Sequence, residues 1–306
     1  MVTQPHTRSK QPGMQRHIAL MPVFATLVGI GFLSLMDAFM KNASLAMGAY
    51  SAALLRAGIA FALILPVWLA TGGKWPKREV LKVHLTRGVV GSMMALTFFY
   101  ALTKLPLAET IAISFIAPVI SLYLAAIMLG EQVRREAIWG AVLGLAGTVV
   151  IVGGKLGRGR FDDDAALGLT AIFVSALLYA WNLVLQRKQA LVSKPTEIST
   201  FYMGTATLVY LIAAPWFFQM PEMEGLKQVG TASLLSLAGA LMMAWAYARA
   251  EAQVLVPMEY SGFLWASLFG WLLLSETPTS TAVIGAGLIV VGCLLATRRH
   301  TEQSVV

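Results

Sequence analysis

Residues 129–147 read LGEQVRREAIWGAVLGLAG, and residues 274–292 read LSETPTSTAVIGAGLIVVG. Three pairs of like residues lie 145 positions apart in these two stretches: Glu131/Glu276, Gly140/Gly285 and Gly147/Gly292. A constant spacing between like residues is the sign of an internal repeat. The repeat predicts that the chain is built from two similar halves.

The chain around this repeat is too apolar for an ordinary soluble protein. Of its 306 residues, 58% are hydrophobic and 12% are charged, whereas soluble domains carry roughly 25% charged residues. Nearly uncharged stretches of about 20 residues recur, and that is the length of a helix that crosses a bilayer. Backbone groups inside lipid must be hydrogen-bonded within their own segment, so these stretches are expected to be helices.

We predict an all-α integral membrane protein with ten transmembrane helices, arranged as two inverted five-helix repeats. The predicted spans are 18–40, 49–70, 84–103, 106–129, 134–153, 167–186, 196–217, 229–249, 253–275 and 279–297. The order along the chain is a basic tail, a first repeat, a linker, a second repeat and a second tail: 1–17, 18–153, 154–166, 167–297 and 298–306. Because five is odd, the second repeat enters the membrane in the opposite orientation, as in many secondary transporters.

The distribution of basic residues predicts the orientation of the chain. If the N-terminus lies in the cytoplasm, the inside connections hold sixteen Lys and Arg residues and the outside connections hold six. Cytoplasmic loops are enriched in Lys and Arg, so both termini are predicted to be cytoplasmic. Three of the six outside residues lie in the linker, next to the acidic run 162–164, which we interpret as a solvated segment.

Several other functional classes lack the residues that they require. The chain has one cysteine, Cys293, and four scattered histidines, so we predict neither a metal site nor a cofactor. The basic residues are spread between apolar runs, which indicates membrane topology and argues against a nucleic-acid partner. No Gly-x4-Gly-Lys-Ser/Thr motif is present, so ATP hydrolysis by this chain is not predicted.

Two sets of motifs lie in corresponding parts of the halves. The first comprises Ala108-Glu109-Thr110, Pro118, Leu129-Gly130-Glu131 and Gly140. The second comprises Val256-Pro257-Met258-Glu259-Tyr260, Trp265-Ala266, Gly270-Trp271, Ser275-Glu276 and Ile284-Gly285-Ala286-Gly287. With these motifs the chain resembles the EamA family of the drug/metabolite transporter superfamily, over nearly its whole length.

The resemblance implies ten helices, cytoplasmic termini and a central cavity lined by helices one to four and six to nine. Helices five and ten would be outer supports. It also implies a carrier of small metabolites, since many members are bacterial inner-membrane exporters of amino acids and related compounds. Other members import cofactors or nucleotide-like metabolites. Ser275 departs from the glycine that the family usually has before the second-half glutamate.

Two ionisable residues at membrane depth are candidates for function, because such residues are costly in lipid. Asp37 lies one turn before Lys41 in the first span, and Arg56 lies about two turns into the second span from the same side. Their similar depths predict an ion pair, as part of a binding site or as a structural pair. Lys41 is a local alternative partner for Asp37.

A third candidate is Glu259, in the inner part of the ninth span. Pro257 removes a helical hydrogen bond just before it, and Tyr260 and Trp265 follow on the same helix. Glu259 is predicted either to couple transport to proton movement or to pair with Arg249.

The fourth span contains a corresponding feature. Pro118 lies mid-membrane and frees the carbonyl group of Ser114, which matches Glu259 at the repeat spacing. A proline-broken helix in each half points to a binding site, although Pro118 and Pro257 do not align.

Aromatic, amide and capping residues complete the set of candidates. Tyr100, Trp181 and Tyr202 lie at membrane depth and either line the cavity or face lipid. Asn182 is favoured because an amide within a span needs a partner inside the bundle. The structural candidates Glu131 and Glu276 end their spans before tight turns, where we predict that they cap the helices that follow.

These residues predict a secondary transporter that moves a small organic metabolite across the bacterial inner membrane by alternating access. Export of an amino acid or related compound is favoured, and import of a cofactor or nucleotide-like metabolite is the alternative. An intramembrane enzyme would need an acidic, His-rich or Ser/His motif within the spans, and the acidic cluster lies in the linker. The predicted partners are the bilayer, the substrate and, as a coupling ion, the proton; the sequence does not predict an oligomeric state.

Overall fold

The computed structural model describes residues 12–117, 120, 124, 135–156, 163–190, 192–247, 249, 258 and 260–297. Within these ranges the chain forms ten helices and no strand. The helices are α1 (Pro12–Met47), α2 (Ala49–Ala70), α3 (Arg78–Lys104), α4 (Leu107–Ser114), α5 (Arg135–Leu156), α6 (Asp163–Ala190), α7 (Pro195–Phe217), α8 (Met223–Tyr247), α9 (Gly262–Leu274) and α10 (Ser280–Thr297).

Six of these helices are long and apolar enough to cross a membrane: α1, α2, α3, α6, α7 and α8. Shorter apolar segments lie within α5, α9 and α10. Their length and composition confirm the predicted class, an all-helical multi-pass membrane protein. The number of ten spans and their grouping into two repeats stay predictions.

Several helices extend beyond the predicted spans. Helix α1 continues to Met47, and α3 begins at Arg78. Helix α6 runs from Asp163 to Ala190, so the connection from α5, which ends at Leu156, is shorter than the predicted linker. Lys, Arg, Glu and Gln are good helix formers, so a helix continues where hydropathy falls. Hydropathy therefore marks the part of the helix that lies in lipid rather than the whole helix.

The most extensive contacts each join a helix of the first half of the chain to a helix of the second half. These pairs are α5 with α10, α1 with α8, α3 with α6, and α2 with α7. Helix α3 also packs against α7, α2 against α8, and α1 against α9. The two halves are therefore interleaved, and the interior of the bundle is formed by both.

The helices alternate between two ends of the bundle. At one end, which we call the Lys104 end, Lys104 Nζ lies 2.7 Å from Asp164 Oδ1, joining the end of α3 to the start of α6. At the other, which we call the Trp68 end, the ring of Trp68 packs edge-on against Phe201 with centroids 5.5 Å apart. Each end thus contains a contact between elements that are distant in sequence.

Glycines allow the closest helix approach, between α5 and α10. A methyl group at Gly147 would lie 2.5 Å from the Gly285 carbonyl oxygen and 2.6 Å from Ile289 Cγ1. These distances are too short for non-bonded contact. At Gly147 and Gly285 the helices touch backbone to backbone, as small residues permit in membrane proteins.

Substitution of Gly147 by alanine is expected to lower the free energy of unfolding by about 1–3 kcal/mol, the usual cost of overpacking. Gly153, also on α5, is a matched control because a methyl group there meets no atom within 4 Å. Gly153→Ala should leave stability unchanged or slightly raised, since alanine favours helix. Denaturant titration of both variants in detergent micelles measures the difference, and equal effects would contradict the packing argument.

Candidate functional site

The interior of the bundle contains two residues of opposite charge at similar depth. Asp37 lies ten residues before the end of α1 and Arg56 seven residues after the start of α2, which is about 15 Å and 10 Å along the respective helices. Arg56 is 6% exposed and Asp37 is half-buried. The predicted depth of both residues therefore agrees with their positions in the helices.

The two charges are near each other but do not touch. The Arg56 guanidinium acts electrostatically on the Asp37 carboxylate, and among the described residues no ion pair or hydrogen bond joins them. Instead, Arg56 Cζ lies 5.2 Å from the centroid of the Phe99 ring. Arg56 Nε is buried with no acceptor in the described part of the chain. The direct ion pair predicted from the sequence is thus not formed.

Lys41, the predicted alternative partner of Asp37, bonds elsewhere. Its ammonium group pairs with Glu276 Oε1 and donates a hydrogen bond to the Leu105 carbonyl oxygen at 2.6 Å. Glu276 lies in the connection between α9 and α10, and a buried ammonium group is stable only with such a charged and hydrogen-bonded partner. We call Lys41, Glu276 and Leu105 the Lys41 cluster; it lies at the Lys104 end.

Glu276 caps a different helix from the one predicted. Its Oε2 accepts a hydrogen bond at 2.7 Å from the backbone N–H of Leu107, the first residue of α4. The following helix, α10, is capped by Thr279, whose Oγ1 accepts from the Ala282 N–H at 3.1 Å. The positive end of α4 is close to Glu276 because α4 packs against α9. Ser275 adopts φ 55°, which explains why glycine is favoured there.

Two tyrosines tie three helices together near Arg56. The Tyr210 hydroxyl on α7 donates a hydrogen bond to the Ser92 carbonyl oxygen on α3 at 2.6 Å. The Tyr50 hydroxyl on α2 donates to the carbonyl oxygen of Tyr210, and their rings pack edge-on with centroids 6.0 Å apart. Sequence reasoning missed both residues because their hydroxyl partners are backbone carbonyls of other helices.

Helix breaks meet near the centre of the bundle. Helix α4 ends at Ser114, whose Oγ donates to the Thr110 carbonyl oxygen at 3.0 Å, and a turn follows at Phe115. A turn at Tyr260 and Ser261 precedes α9. The rings of Phe115 and Tyr260 contact each other edge-on, with centroids 5.3 Å apart. A turn therefore follows Ser114 directly, while the predicted breaks at Pro118 and Pro257 stay predictions, because Pro118, Glu131, Pro257 and Glu259 lie outside the described residues.

A second buried cation, Arg87 on α3, was not singled out from the sequence. Its guanidinium donates to three amide oxygens of α6: Asn182 Oδ1 at 3.1 Å, Gln189 Oε1 at 2.5 Å and Gln186 Oε1 at 3.2 Å. The ring of Tyr202 on α7 lies 4.9 Å from Arg87 Cζ. Asn182 is thus bonded inside the bundle, as predicted, and its partner Arg87 lies near the start of the predicted span 84–103.

His84 extends this polar network toward the Trp68 end. The amide nitrogen of Gln189 lies 2.6 Å from His84 Nδ1, and Glu197 Oε1 lies 3.1 Å from His84 Nε2. The ring of His84 is fully buried and stacks on Phe201, with centroids 5.0 Å apart. We call His84, Arg87, Asn182, Gln186, Gln189 and Glu197 the Arg87 network.

The predicted aromatic residues divide between the interior and the surface. Tyr202 packs on Arg87, and Trp265 stacks on Phe269 with centroids 5.7 Å apart. Trp181 is 40% exposed and lines an apolar groove, and Tyr100 is 37% exposed. Neighbouring residues on a helix point about 100° apart. Asn182 and Phe99 face the interior, so the adjacent residues Trp181 and Tyr100 point in other directions and are partly exposed.

The ionisable side chains can also be compared with the ligand sets of metal sites, within the part of the chain that the structure describes. There, no group of three His, Cys, Asp or Glu side chains could hold a metal ion. The interior polar groups include carboxylates, guanidinium groups, amides and tyrosine hydroxyls. Such groups bind small organic ions through charge and hydrogen bonds.

Three similar proteins are each named as an exporter or a transporter of a small molecule. The pseudopaline exporter of Pseudomonas aeruginosa is 27% identical over 280 residues, covering 90% of this chain and 95% of that protein. The aromatic amino acid exporter of Ancylobacter novellus is 27% identical over 216 residues, covering 68% and 74%. A riboflavin transporter of Brucella anthropi is 23% identical over 254 residues, covering 80% and 87%.

A solved crystal structure has the same fold. It superposes with a TM-score of 0.63 over 89% of this chain and 98% of that one, at 23% identity. The EamA-like transporter family matches the sequence twice, at residues 20–153 and 166–298. Since these two matches cover most of the chain, the protein belongs to the EamA-like transporter family.

Proposed function

We propose that this protein is a secondary transporter that moves a small organic metabolite across the bacterial inner membrane by alternating access. An amino acid or a related compound is the favoured substrate, and export is the favoured direction. The observation that carries the proposal is the pair of opposite charges at membrane depth inside the bundle, a buried Arg56 and a half-buried Asp37. Intramembrane charges in a transporter typically mark the path of the substrate.

Two inverted five-helix repeats would provide the moving parts. The family matches each half of the chain separately. The helix contacts are also symmetric between the halves, in which α1 corresponds to α6, α3 to α8, and so on. The pair α1 with α8 therefore corresponds to the pair α6 with α3, and both pairs are in contact. Helices α2 with α7 and α5 with α10 pair with their own counterparts. This pattern supports a two-fold relation between the halves, with the substrate held between them.

The relatives support the direction and the substrate class. Two of them are exporters, of pseudopaline and of aromatic amino acids. A riboflavin transporter is also similar, which supports import of a cofactor-like compound as the second candidate. No relative reported above is named as an enzyme, and the intramembrane enzyme remains the least supported reading.

Glu259 is proposed as the residue that couples transport to protons. A carboxyl group removed from water binds a proton more readily, so it could exchange a proton for substrate as the halves rock. The Tyr260 side chain is buried next to it in the sequence. Structural pairing with Arg249 is the alternative, and Arg249 Cζ lies 4.3 Å from the Trp245 ring centroid.

The proposal is tested by flux through proteoliposomes loaded with amino acids, riboflavin and nucleotides. The expected result is movement of at least one solute above the rate in protein-free vesicles, and a change in that rate when a pH gradient is imposed. Absence of any protein-dependent flux would contradict the transporter proposal. A flux that ignores the pH gradient, or an unchanged pH profile in Glu259→Gln, would contradict proton coupling alone.

The orientation of the protein in the cell membrane is tested separately. Lys227 lies in the first turns of α8, at the end that we assign to the outside, or periplasmic, face, and Lys74 lies in the connection assigned to the cytoplasm; both are exposed. Each is replaced by cysteine in a Cys293→Ala background and labelled with an impermeant maleimide in whole cells. Labelling of Lys227→Cys but not Lys74→Cys before permeabilisation is expected, and the reverse pattern would contradict cytoplasmic termini.

A further inference from the structure

We infer that Asp37 and Arg56 together bind a zwitterionic solute, with the ammonium group of the solute on Asp37 and its carboxylate on Arg56. The inference rests on the proposed function, because it names the substrate class of the same site. It goes further than an amino-acid-like substrate in general, since it assigns each charge of the solute to one side chain.

The buried cations differ in the hydrogen-bond acceptors that surround them. Lys41 has a carboxylate and a carbonyl oxygen, and Arg87 has three amide oxygens. Arg56 is just as buried, yet in the described part of the chain its guanidinium donates no hydrogen bond, and its Nε is enclosed without an acceptor. A buried cation without acceptors is strongly unfavourable, so this one is suited to a ligand that brings its own acceptors.

Asp37 supplies the complementary charge. It lies on α1 at a depth similar to that of Arg56 on α2, and these two helices pack against each other; among the described residues Asp37 receives no hydrogen bond and forms no ion pair. Lys41, one turn away, is paired with Glu276. An aspartate held apart from an arginine in this way can accept a cation while the arginine accepts an anion.

The geometry of the groups favours one class of ligand. A guanidinium binds carboxylate through two parallel hydrogen bonds, and the Phe99 ring, with its centroid 5.2 Å from Arg56 Cζ, covers the group from one side. A carboxylate binds an ammonium group as a point charge. A solute with only a carboxylate would leave Asp37 unpaired and repelled, and a solute with only an amine would leave Arg56 unpaired.

The test compares solutes that share one apolar body and differ in charge. One series is phenylalanine, phenethylamine and 3-phenylpropionate; a second is leucine, 3-methylbutylamine and 4-methylpentanoate; the remaining amino acids and riboflavin complete the panel. Binding is measured by the shift in thermal unfolding midpoint of the purified protein, and transport by flux in proteoliposomes. At least one zwitterion should bind at least about ten-fold more tightly than its two single-charge analogues, the effect of losing one charge-assisted contact.

Substitutions assign the two charges. Asp37→Asn should remove the preference for the zwitterion over its carboxylate analogue, and Arg56→Gln the preference over its amine analogue. Arg56→Lys keeps the positive charge but not the planar guanidinium with its parallel N–H donors, and it provides a second variant if Arg56→Gln does not fold. The exposed pair Glu224 and Lys227 gives matched controls, since Glu224→Gln and Lys227→Gln should change neither preference.

The outcomes separate this inference from the proposed function. If a neutral or singly charged solute binds best, or both variants weaken all solutes equally, or no zwitterion binds, the inference is overturned while any measured flux still supports a transporter. If a zwitterion binds with the assigned charge preferences but no solute crosses the vesicle membrane, the site stands and the transporter proposal fails.

Discussion

Glu276→Gln is expected to lower the free energy of unfolding by about 3 kcal/mol. Removing one partner of a buried ion pair costs about 3–5 kcal/mol, and the side chain of Glu276 is 23% exposed, which places the effect at the low end. The variant leaves the Lys41 ammonium without this carboxylate. Glutamine keeps an oxygen for the Leu107 N–H, so the cap on α4 is weakened rather than lost.

A double-mutant cycle isolates the ion pair from the cap. Lys41→Met alone should also destabilise, and the double variant Lys41→Met with Glu276→Gln should lose less than the sum of the single losses. Glu224→Gln is the matched control, because its pair with Lys227 is exposed and such pairs contribute little. Additive losses in detergent titration would show that Lys41 and Glu276 are not coupled.

The Lys41 cluster and the Arg87 network lie at opposite ends and each crosses between the halves. Lys41 belongs to the first half and Glu276 to the second, while Arg87 on α3 bonds to three residues of α6. Under the proposed alternating access, an opening at either end has to loosen the contacts there. Asp37 lies one helical turn from Lys41 on α1, so the proposed site is next to the contacts at this end.

Local sequence predicted the helices well where hydropathy and helix coincide. Helix α2 spans the predicted residues 49–70, and α7 begins one residue earlier than predicted. Prediction failed at α1, where Lys41 and the polar residues after it suggested a helix end. The partner that stabilises Lys41 inside the bundle is Glu276, which is 235 residues away in sequence. Hydropathy along the chain contains no information about such a partner.

The candidate site was predicted in part for the same reason. Asp37, Arg56 and Asn182 stand out because each is polar within an apolar run. Arg87 did not stand out, because it lies where a predicted span begins. Its spacing from His84 and the spacing of Asn182, Gln186 and Gln189 on α6 would have revealed two polar helix faces. That these faces meet depends on the packing of α3 against α6.

Arg87→Leu is expected to have the largest effect of the substitutions considered, a loss of about 3 kcal/mol or more in the free energy of unfolding. The change removes the donor shared by three amide oxygens, and each buried acceptor left unpaired costs about 1–3 kcal/mol. Asn182 and Gln189 are buried, whereas Gln186 is exposed and can find another donor. The expected loss therefore comes mainly from two acceptors and from the lost contact with Tyr202.

Two further variants test whether stability requires the planar guanidinium of Arg87 or only its positive charge. Arg87→Lys keeps a cation but can reach fewer of the three oxygens, so it should recover part of the lost stability and not all of it. Arg78→Leu is the matched control, since Arg78 lies at the start of the same helix and is exposed. Denaturant titration should give the order wild type and Arg78→Leu, then Arg87→Lys, then Arg87→Leu. A lysine variant as stable as the wild type would show that charge alone holds α3 to α6, and a leucine variant as stable as Arg78→Leu would show that the network does not stabilise the bundle.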